Sequence, residues 1–329
     1  MKTRALRTGL ELTEFGFGAA QIGNLYTAVS DEAAEAAVNT AWESGVRYFD
    51  TAPHYGLGLS ERRLGRALAK YPRDEFVLST KVGRLLEETP ENAGEMDNDA
   101  YAVRAERRRV WDFSRDGVRR SIEASLERTG LGHFDIVYLH DPDQHWEVAS
   151  ATGAPALAEL RDEGVINAFG AGMNQSEMLE RFIRECDADV VMCASRFTLL
   201  EQGALDDVLP AAQEHGASVV AAAPYNTGLL SRDVVPDQAK YDYGDAPAEQ
   251  VQRAREIATV CASHGVSLPA AAVQFALRHP SIVSVVAGVR TVSQATSSIQ
   301  RLTAPIPEEL WRDLNSLGLT RYYPEEDPA

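Results

Sequence analysis

Short apolar runs bounded by turn residues alternate along this chain with longer stretches in which apolar positions recur every three or four residues. The runs lie at residues 15–22, 47–51, 76–81, 135–140, 168–173, 190–195, 218–223 and 284–288. Nearly continuous apolar runs of this length are expected of strands buried on both faces. The periodic stretches begin near Asp31, Ser60, Ser114, Ala154, Ser176, Leu205 and Ala248, with a last one after Thr291. A helix between successive strands is the crossover that a parallel sheet requires. Eight such repeats predict an α/β fold of the (β/α)8 TIM-barrel type.

Boundary residues agree with this reading. Ser30 and Asp31 precede the stripe Ala34, Val38, Ala41 and Trp42, and Gly45 follows it, the order of a capped helix start and a glycine stop. Residues 6–13 suggest an N-terminal hairpin closing the bottom of the barrel. Residues 268–279 suggest an additional helix before the eighth strand. Residues 305–317 suggest a C-terminal helix with Pro307 in its first turn. No linker divides the chain, so residues 1–329 are expected to form one barrel domain. Segments 84–113 and 225–247 are long and follow the third and seventh strands. In a barrel both fall on the C-terminal face, where active sites lie. Residues 87–98 are acidic and polar and read as a solvated loop.

Composition narrows the function classes. The 329 residues are 44% hydrophobic, enough for a large core, and the formal net charge is −17. Such a charge repels phosphate backbones and anionic bilayers, so neither nucleic acid nor membrane is an expected partner. Cys186, Cys193 and Cys261 have no paired spacing, which argues against a disulfide framework or a zinc site. The opening MKTRALRTGLEL lacks the apolar segment of a secretory signal, and the longest apolar stretch, 219–225, is too short to span a bilayer. A cytoplasmic enzyme acting on a small molecule is expected.

Four polar residues mark where chemistry would occur. Asp50 ends the second strand, Tyr55 follows in the next loop, Lys81 ends the third strand and His140 the fourth. Each alone is as readily a cap, a packing residue or a solvated end. Together, at the tops of adjacent strands, they point to one place. A lysine ending an apolar strand must find a partner or neutralise, and Asp50 is suited to it. The free phenol of tyrosine holds its proton to a pKa near ~10, and an adjacent ammonium favours the phenolate. His140 is placed to hydrogen-bond a substrate oxygen.

The stretch FDTAPHYGLGLSERRLG at 49–65 resembles the signature of aldo-keto reductases, as do STKVG at 79–83 and DIVYLHDPD at 135–143. The resemblance runs over nearly the whole chain. It implies the barrel, a nicotinamide cofactor and the tetrad Asp50, Tyr55, Lys81 and His140. Segments 111–130, 195–202 and 223–230 are similar to the branch containing L-fucose and D-threo-aldose 1-dehydrogenases and pyridoxal 4-dehydrogenase. There is no G-x-G-x-x-G opening a helix after a strand, which disfavours a doubly wound dinucleotide domain.

The resemblance also implies a cofactor site. Asn174 matches the asparagine that holds the nicotinamide amide. Met173 stands where a serine is usual, and Ala194 and Ala222 stand where a glutamine and an aromatic often bracket the ring. Ser195 joins this end. Asn226, Gly228 and Leu230 are expected along the pyrophosphate, with Gly288, Arg290, Gln294 and Ser298 at the adenosine phosphate, where a helix start presents N–H groups. Gln294 replaces the basic residue that commonly binds the 2′-phosphate of NADP, which suggests NAD. Arg290 nearby keeps NADP open. Tyr26, His54, Trp111 and Asp141 are expected to contact substrate, as an aromatic platform with a hydroxyl-binding acid would for a pyranose. The expected reaction is oxidation of an aldose at C1 to the lactone. Pyridoxal oxidation to its lactone, NADPH-linked aldehyde reduction and a non-catalytic binding barrel are the alternatives.

Overall fold

A computed structural model of the chain describes residues 1–242 and 244–324. Eight parallel strands close into a barrel: β1 Phe15–Gly18, β2 Tyr48–Asp50, β3 Val77–Val82, β4 Ile136–His140, β5 Ala168–Met173, β6 Val190–Ala194, β7 Ser218–Ala222 and β8 Ile282–Gly288. The crossover helices are α1 Asp31–Glu43, α2 Leu59–Leu68, α3 Arg115–Thr129, α4 Ala154–Asp162, α5 Ser176–Cys186, α6 Val208–His215 and α7 Ala248–Ser263, and α8 Val292–Thr303 follows β8. Outside the repeat lie Leu268–Phe275, before β8, and the C-terminal helix Glu308–Ser316. No single helix among the described residues is long and apolar enough to cross a membrane.

Period-two alternation along each strand sorts the core into two bodies. Outward residues such as Phe49, Leu78, Val137, Leu139 and Phe169 pack under the helices. Inward residues form a second cluster: Tyr48, Val77, Ile136, Tyr138, Val190 and Val220, among others, fill the barrel interior. The N-terminal hairpin, Thr3–Ala5 with Glu11–Thr13, adds Leu6 and Leu12 to that interior cluster and plugs its floor.

Two sequence expectations are corrected and a third is refined. The first strand ends at Gly18 rather than at residue 22, and Ala19–Gly23 form a 3-10 turn. The Ser60 hydroxyl on α2 donates to the carbonyl of Ala19, and this long-range bond captures the chain as it leaves the barrel. The sixth helix starts at Val208 instead of near Leu205, because the Asp207 carboxylate accepts from the Val208 N–H and caps it there. Residues 87–98 are mostly exposed, as expected of a solvated segment, but they are anchored near both ends. Arg84–Glu88 pairs with Arg107–Trp111 as an antiparallel hairpin. Asp97, 4% exposed at its side chain, accepts from Arg109 at 2.6 and 2.9 Å, and Glu87 from Arg108 at 2.7 Å. These arginine partners lie later in the chain, beyond the hairpin's tip, and are not visible in the acidic run itself.

Candidate active site

The inward column that carries Tyr48 and Tyr138 ends in charge. By the same alternation Asp50, Lys81 and His140 are the last inward positions of β2, β3 and β4. Register pairs Asp50 with Ser79 and Lys81 with Tyr138. Lys81 Nζ donates to Asp50 Oδ2 at 2.6 Å and to the Thr51 carbonyl at 3.1 Å. Both side chains are at most 3% exposed. At such depth an ion pair persists only with its remaining valences satisfied. Ser79 supplies one of these, donating to Asp50 Oδ1 at 2.7 Å. The Ser79 oxygen also lies 3.1 Å from Tyr48 Oη, and Tyr48 Oη lies 3.3 Å from Tyr138 Oη. Burial pushes both phenols well above their usual range, so these hydroxyls stay protonated. The sequence reading missed Ser79, Tyr48 and Tyr138; their inward parity with Asp50 and Lys81 was the available signal.

Tyr55 reaches this pair from the loop after β2. Lys81 Nζ lies 4.8 Å from the centroid of its ring, and the His140 ring meets it edge-on at 5.7 Å. The four predicted residues therefore converge. The loop is held by the motif around it. Gly56, at φ +63°, sits so close to Gly23 that a Cβ would fall 2.1 Å from the Gly23 carbonyl, which pins the Tyr55 loop to the loop after β1. Arg63 donates to the Ile22 and Val29 carbonyls and to Asn24 Oδ1 at 2.6–2.7 Å. Glu61, fully buried, accepts from Arg128 and from Thr80. A Cβ on Gly65 would meet the Thr129 carbonyl at 2.0 Å, so α2 and α3 touch there backbone to backbone. Much of the signature at 49–65 is thus scaffold for one tyrosine.

Beyond His140 the cleft is walled by groups from three loops. His54 Nδ1 accepts from Arg84 Nη1 at 3.1 Å. Arg84 pairs with Asp141 and stacks over the Trp111 ring at 4.4 Å. Tyr101, from the tip region of the long hairpin segment, packs near Tyr55 at 6.3 Å and is 4% exposed. Leu25 and Tyr101 form a β-bridge that carries it there. Of the predicted substrate residues, His54, Asp141 and Trp111 line this wall, while Tyr26 is 52% exposed at its edge. Arg84 and Tyr101 were not foreseen, since both sit in the segment read as a loop.

Burial, reinforced by the cations of Arg84 and Lys81, holds the His140 imidazole well below its usual range. Burial and then Arg84 lower His54 to about 2, and burial lowers His279 to about 4. These rings stay neutral in the folded protein and take protons only on unfolding. Folded values below unfolded ones mean that stability is complete above about pH 6.5 and is lost as pH falls toward the folded values. Urea midpoints measured between pH 7.5 and 5 should fall steadily, and His54→Asn should flatten that slope. An equally steep slope in the variant would remove His54 from the account.

The predicted cofactor residues lie around the opposite rim. Asn174, after β5, donates to Asp242 at 3.2 Å, and Arg196 holds the other Asp242 oxygen at 3.0 Å. Ser195, at φ +61°, meets Asn226 through its carbonyl, at 3.4 Å from Asn226 Nδ2. Gly228, at φ +98°, lies in the same turn, whereas the Leu230 side chain is fully buried in the core. Gly288 ends β8 exposed. Gln294 accepts from the Arg290 N–H at 2.9 Å, the Arg290 guanidinium has no partner among the described residues, and Ser298 is buried on α8. A dinucleotide fits this rim on two counts. The buried oxygens Asn226 Oδ1 and Gln21 Oε1 have no hydrogen-bond partner among the described residues. The first-turn N–H groups of Val292 and Ser293 make no bond among the described residues, the arrangement that receives phosphate at a helix start. Gln21 is a further residue the sequence reading missed. Among the described residues no cluster of histidine, cysteine or acidic side chains is arranged to hold a metal.

Comparison with known proteins agrees with this geometry. The family model described as "Aldo/keto reductase family" matches residues 14–318. The chain is 46% identical over 314 residues to a D-threo-aldose 1-dehydrogenase of Pseudomonas sp, covering 94% of this chain and 95% of that protein. It is 39% identical to the pyridoxal 4-dehydrogenase of Microbacterium luteolum, over 96% and 97% of the two chains. The holo form of aldo-keto reductase AKR11C1 from Bacillus halodurans superposes with a TM-score of 0.76 at 25% identity, covering 96% of each chain. This chain belongs to the aldo/keto reductase family and is an NAD(P)-dependent oxidoreductase.

Proposed function

We propose that the protein oxidises an aldose of the L-fucose or D-threo type at C1 to the lactone, with NAD as hydride acceptor. The observation that carries this reading is the polar wall beside His140. Arg84, Asp141 and His54 are joined beside His140, a set of polar groups suited to a substrate that carries several hydroxyls. Similarity to a D-threo-aldose 1-dehydrogenase supports the same choice. Bound nicotinamide supplies a carbon that accepts hydride. Tyr55 takes the proton of the anomeric hydroxyl as the C1 hydrogen leaves with its electron pair. Lys81, held by Asp50, stabilises the phenolate form of Tyr55 that accepts this proton. Neutral His140 hydrogen-bonds the anomeric oxygen and orients it. The sugar loses two electrons and two hydrogens, one as hydride and one as a proton passed to water. In the reverse direction Tyr55 is the proton donor.

Asn174 and Ser195 would hold the nicotinamide end. Asn226, Gly228 and the backbone at Leu230 would follow the pyrophosphate, and Gly288, Arg290, Gln294 and Ser298 the adenosine end. The neutral Gln294 favours NAD. The oxidation of pyridoxal through its internal hemiacetal uses the same proton and hydride path, and the exposed Trp111 ring, 44% accessible, gives a pyridine ring a stacking surface. A cytoplasmic location accords with this use of a soluble cofactor.

A panel of L-fucose, D-arabinose, L-xylose and pyridoxal, each with NAD and with NADP, tests the proposal at 340 nm. We expect kcat/KM for at least one aldose to exceed that for pyridoxal, and NAD to be preferred by about tenfold or more, as the loss of one charged phosphate contact implies. Absorbance growth with pyridoxal alone would replace the substrate assignment. A preference for NADP would transfer the 2′-phosphate to Arg290.

A further inference from the structure

Arg84 is a junction that the proposed chemistry does not use. Its guanidinium is 13% exposed at the side chain. It touches the loop after β2 through His54 Nδ1 at 3.1 Å, the loop after β4 through Asp141, and the end of its own hairpin through Trp111. Its Nε is buried and has no hydrogen-bond partner among the described residues. A buried donor left unpaired costs stability, and an acceptor arriving with the substrate would relieve that cost.

Asp141 supplies the complementary half. It follows His140 directly, and its backbone is held in the left-handed region at φ +43°, uncommon for a residue with a side chain. Its N–H donates to the Gly172 carbonyl at 3.0 Å, fixing that turn. The turn brings Asp141 Oδ2 to 3.7 Å from His140 Nε2. An acceptor and an unsatisfied donor thus sit side by side, within one hydroxyl's reach of the nitrogen assigned to the reacting oxygen. The two charges offset each other, so the pair presents hydrogen-bonding capacity with little net charge. That suits a neutral hydroxyl, which gives one hydrogen bond and accepts another. It does not suit a carboxylate, which would have to displace Asp141.

We infer that the Arg84–Asp141 pair is the specificity-determining element of the site and recognises the hydroxyl on the carbon next to the reacting one, selecting neutral α-hydroxylated substrates over their deoxy counterparts. The inference rests on the oxidoreductase reading above and names the substrate feature the site reads. A site built to hydrogen-bond a substrate hydroxyl rejects the analogue lacking it far more strongly than an apolar pocket rejects an extra group. His54 assists by holding Arg84 from behind, and Trp111 covers its face.

The test is the ratio of kcat/KM for a hydroxylated substrate to that for its deoxy analogue, with NAD(H) binding followed in parallel by fluorescence. L-fucose against 2-deoxy-L-fucose reads it in oxidation, and D-glyceraldehyde against 3-hydroxypropanal in reduction. In the wild type the ratio should be about 100 or more. In Arg84→Met it should collapse to within about fivefold of unity, almost wholly through loss on the hydroxylated partner, with the NAD(H) dissociation constant held within about twofold. Asp141→Asn, which keeps shape and folding, should lower the ratio in the same direction, and Arg84→Lys should restore part of it. A wild-type ratio near unity, or one that survives Arg84→Met with cofactor binding intact, overturns the inference. A carboxylated aldehyde such as glyoxylate outperforming glyceraldehyde does so as well. Absence of sugar oxidation with a high glyceraldehyde ratio overturns only the aldose assignment and leaves the Arg84 inference standing.

Discussion

Tyr55→Phe should reduce kcat/KM for the best substrate by roughly 10²–10⁴-fold, the range that a positioned proton-transfer group contributes. The substitution deletes one oxygen from a half-buried ring and leaves its packing against Lys81 and His140. NAD(H) binding and thermal midpoint should therefore stay near wild type. The loss should fall on kcat, because the missing interaction belongs to the transition state. A steady-state comparison at saturating cofactor, with the midpoint measured on the same preparation, checks this. Turnover within a few fold of wild type would assign the proton to another group and would remove Tyr55 from the mechanism.

Lys81→Met should have the second largest effect, and on stability as well as rate. The variant leaves the Asp50 carboxylate, 2% exposed, with Ser79 alone as a partner. Removing one member of a buried ion pair costs about 3–5 kcal/mol because the survivor is left uncompensated. Chemical denaturation should show this as a lowered midpoint with an unchanged slope. Adding Asp50→Asn to the same chain removes the orphaned charge, and the double variant should regain at least half of the lost stability. Activity should not return with it, since the phenolate still lacks its cation. Recovery of both would mean that the pair serves folding alone. A cost below about 1 kcal/mol, the value of an exposed pair, would mean that water reaches the barrel interior.

The two experiments separate functions that share one column of side chains. Inward positions of β2, β3 and β4 run from Tyr48 and Tyr138 through Ser79 to Asp50 and Lys81 without a break in hydrogen bonding. The lower part is rigid support and the upper part faces the chemistry. Tyr55 alone comes from a loop, and that loop is fastened from behind by Gly23, Arg63 and Glu61.

The eight strands and their helices could be read from the chain because their cause is local. A buried parallel strand must be apolar throughout, a crossover helix must carry one apolar stripe, and both patterns are written in consecutive residues. Asp50, Lys81 and His140 could be placed for the same reason: a charged or polar residue ending an apolar run stands out, and barrel geometry sends adjacent strand ends to one face. Even the pairing of Lys81 with Asp50 followed from the cost of burying either alone.

What the sequence did not disclose depends on contacts between distant segments. Within residues 87–98, Glu87 and Asp97 acquire partners only when Arg108 and Arg109 fold back on them. The same folding turns Arg84 from a residue after a strand into the link among three loops, and brings Tyr101 over Tyr55. Strand periodicity determined the barrel and the charged ends of its strands. Only the tertiary structure decided the wall that faces the substrate, because long-range ion pairs and loop-to-loop packing have no period along the chain.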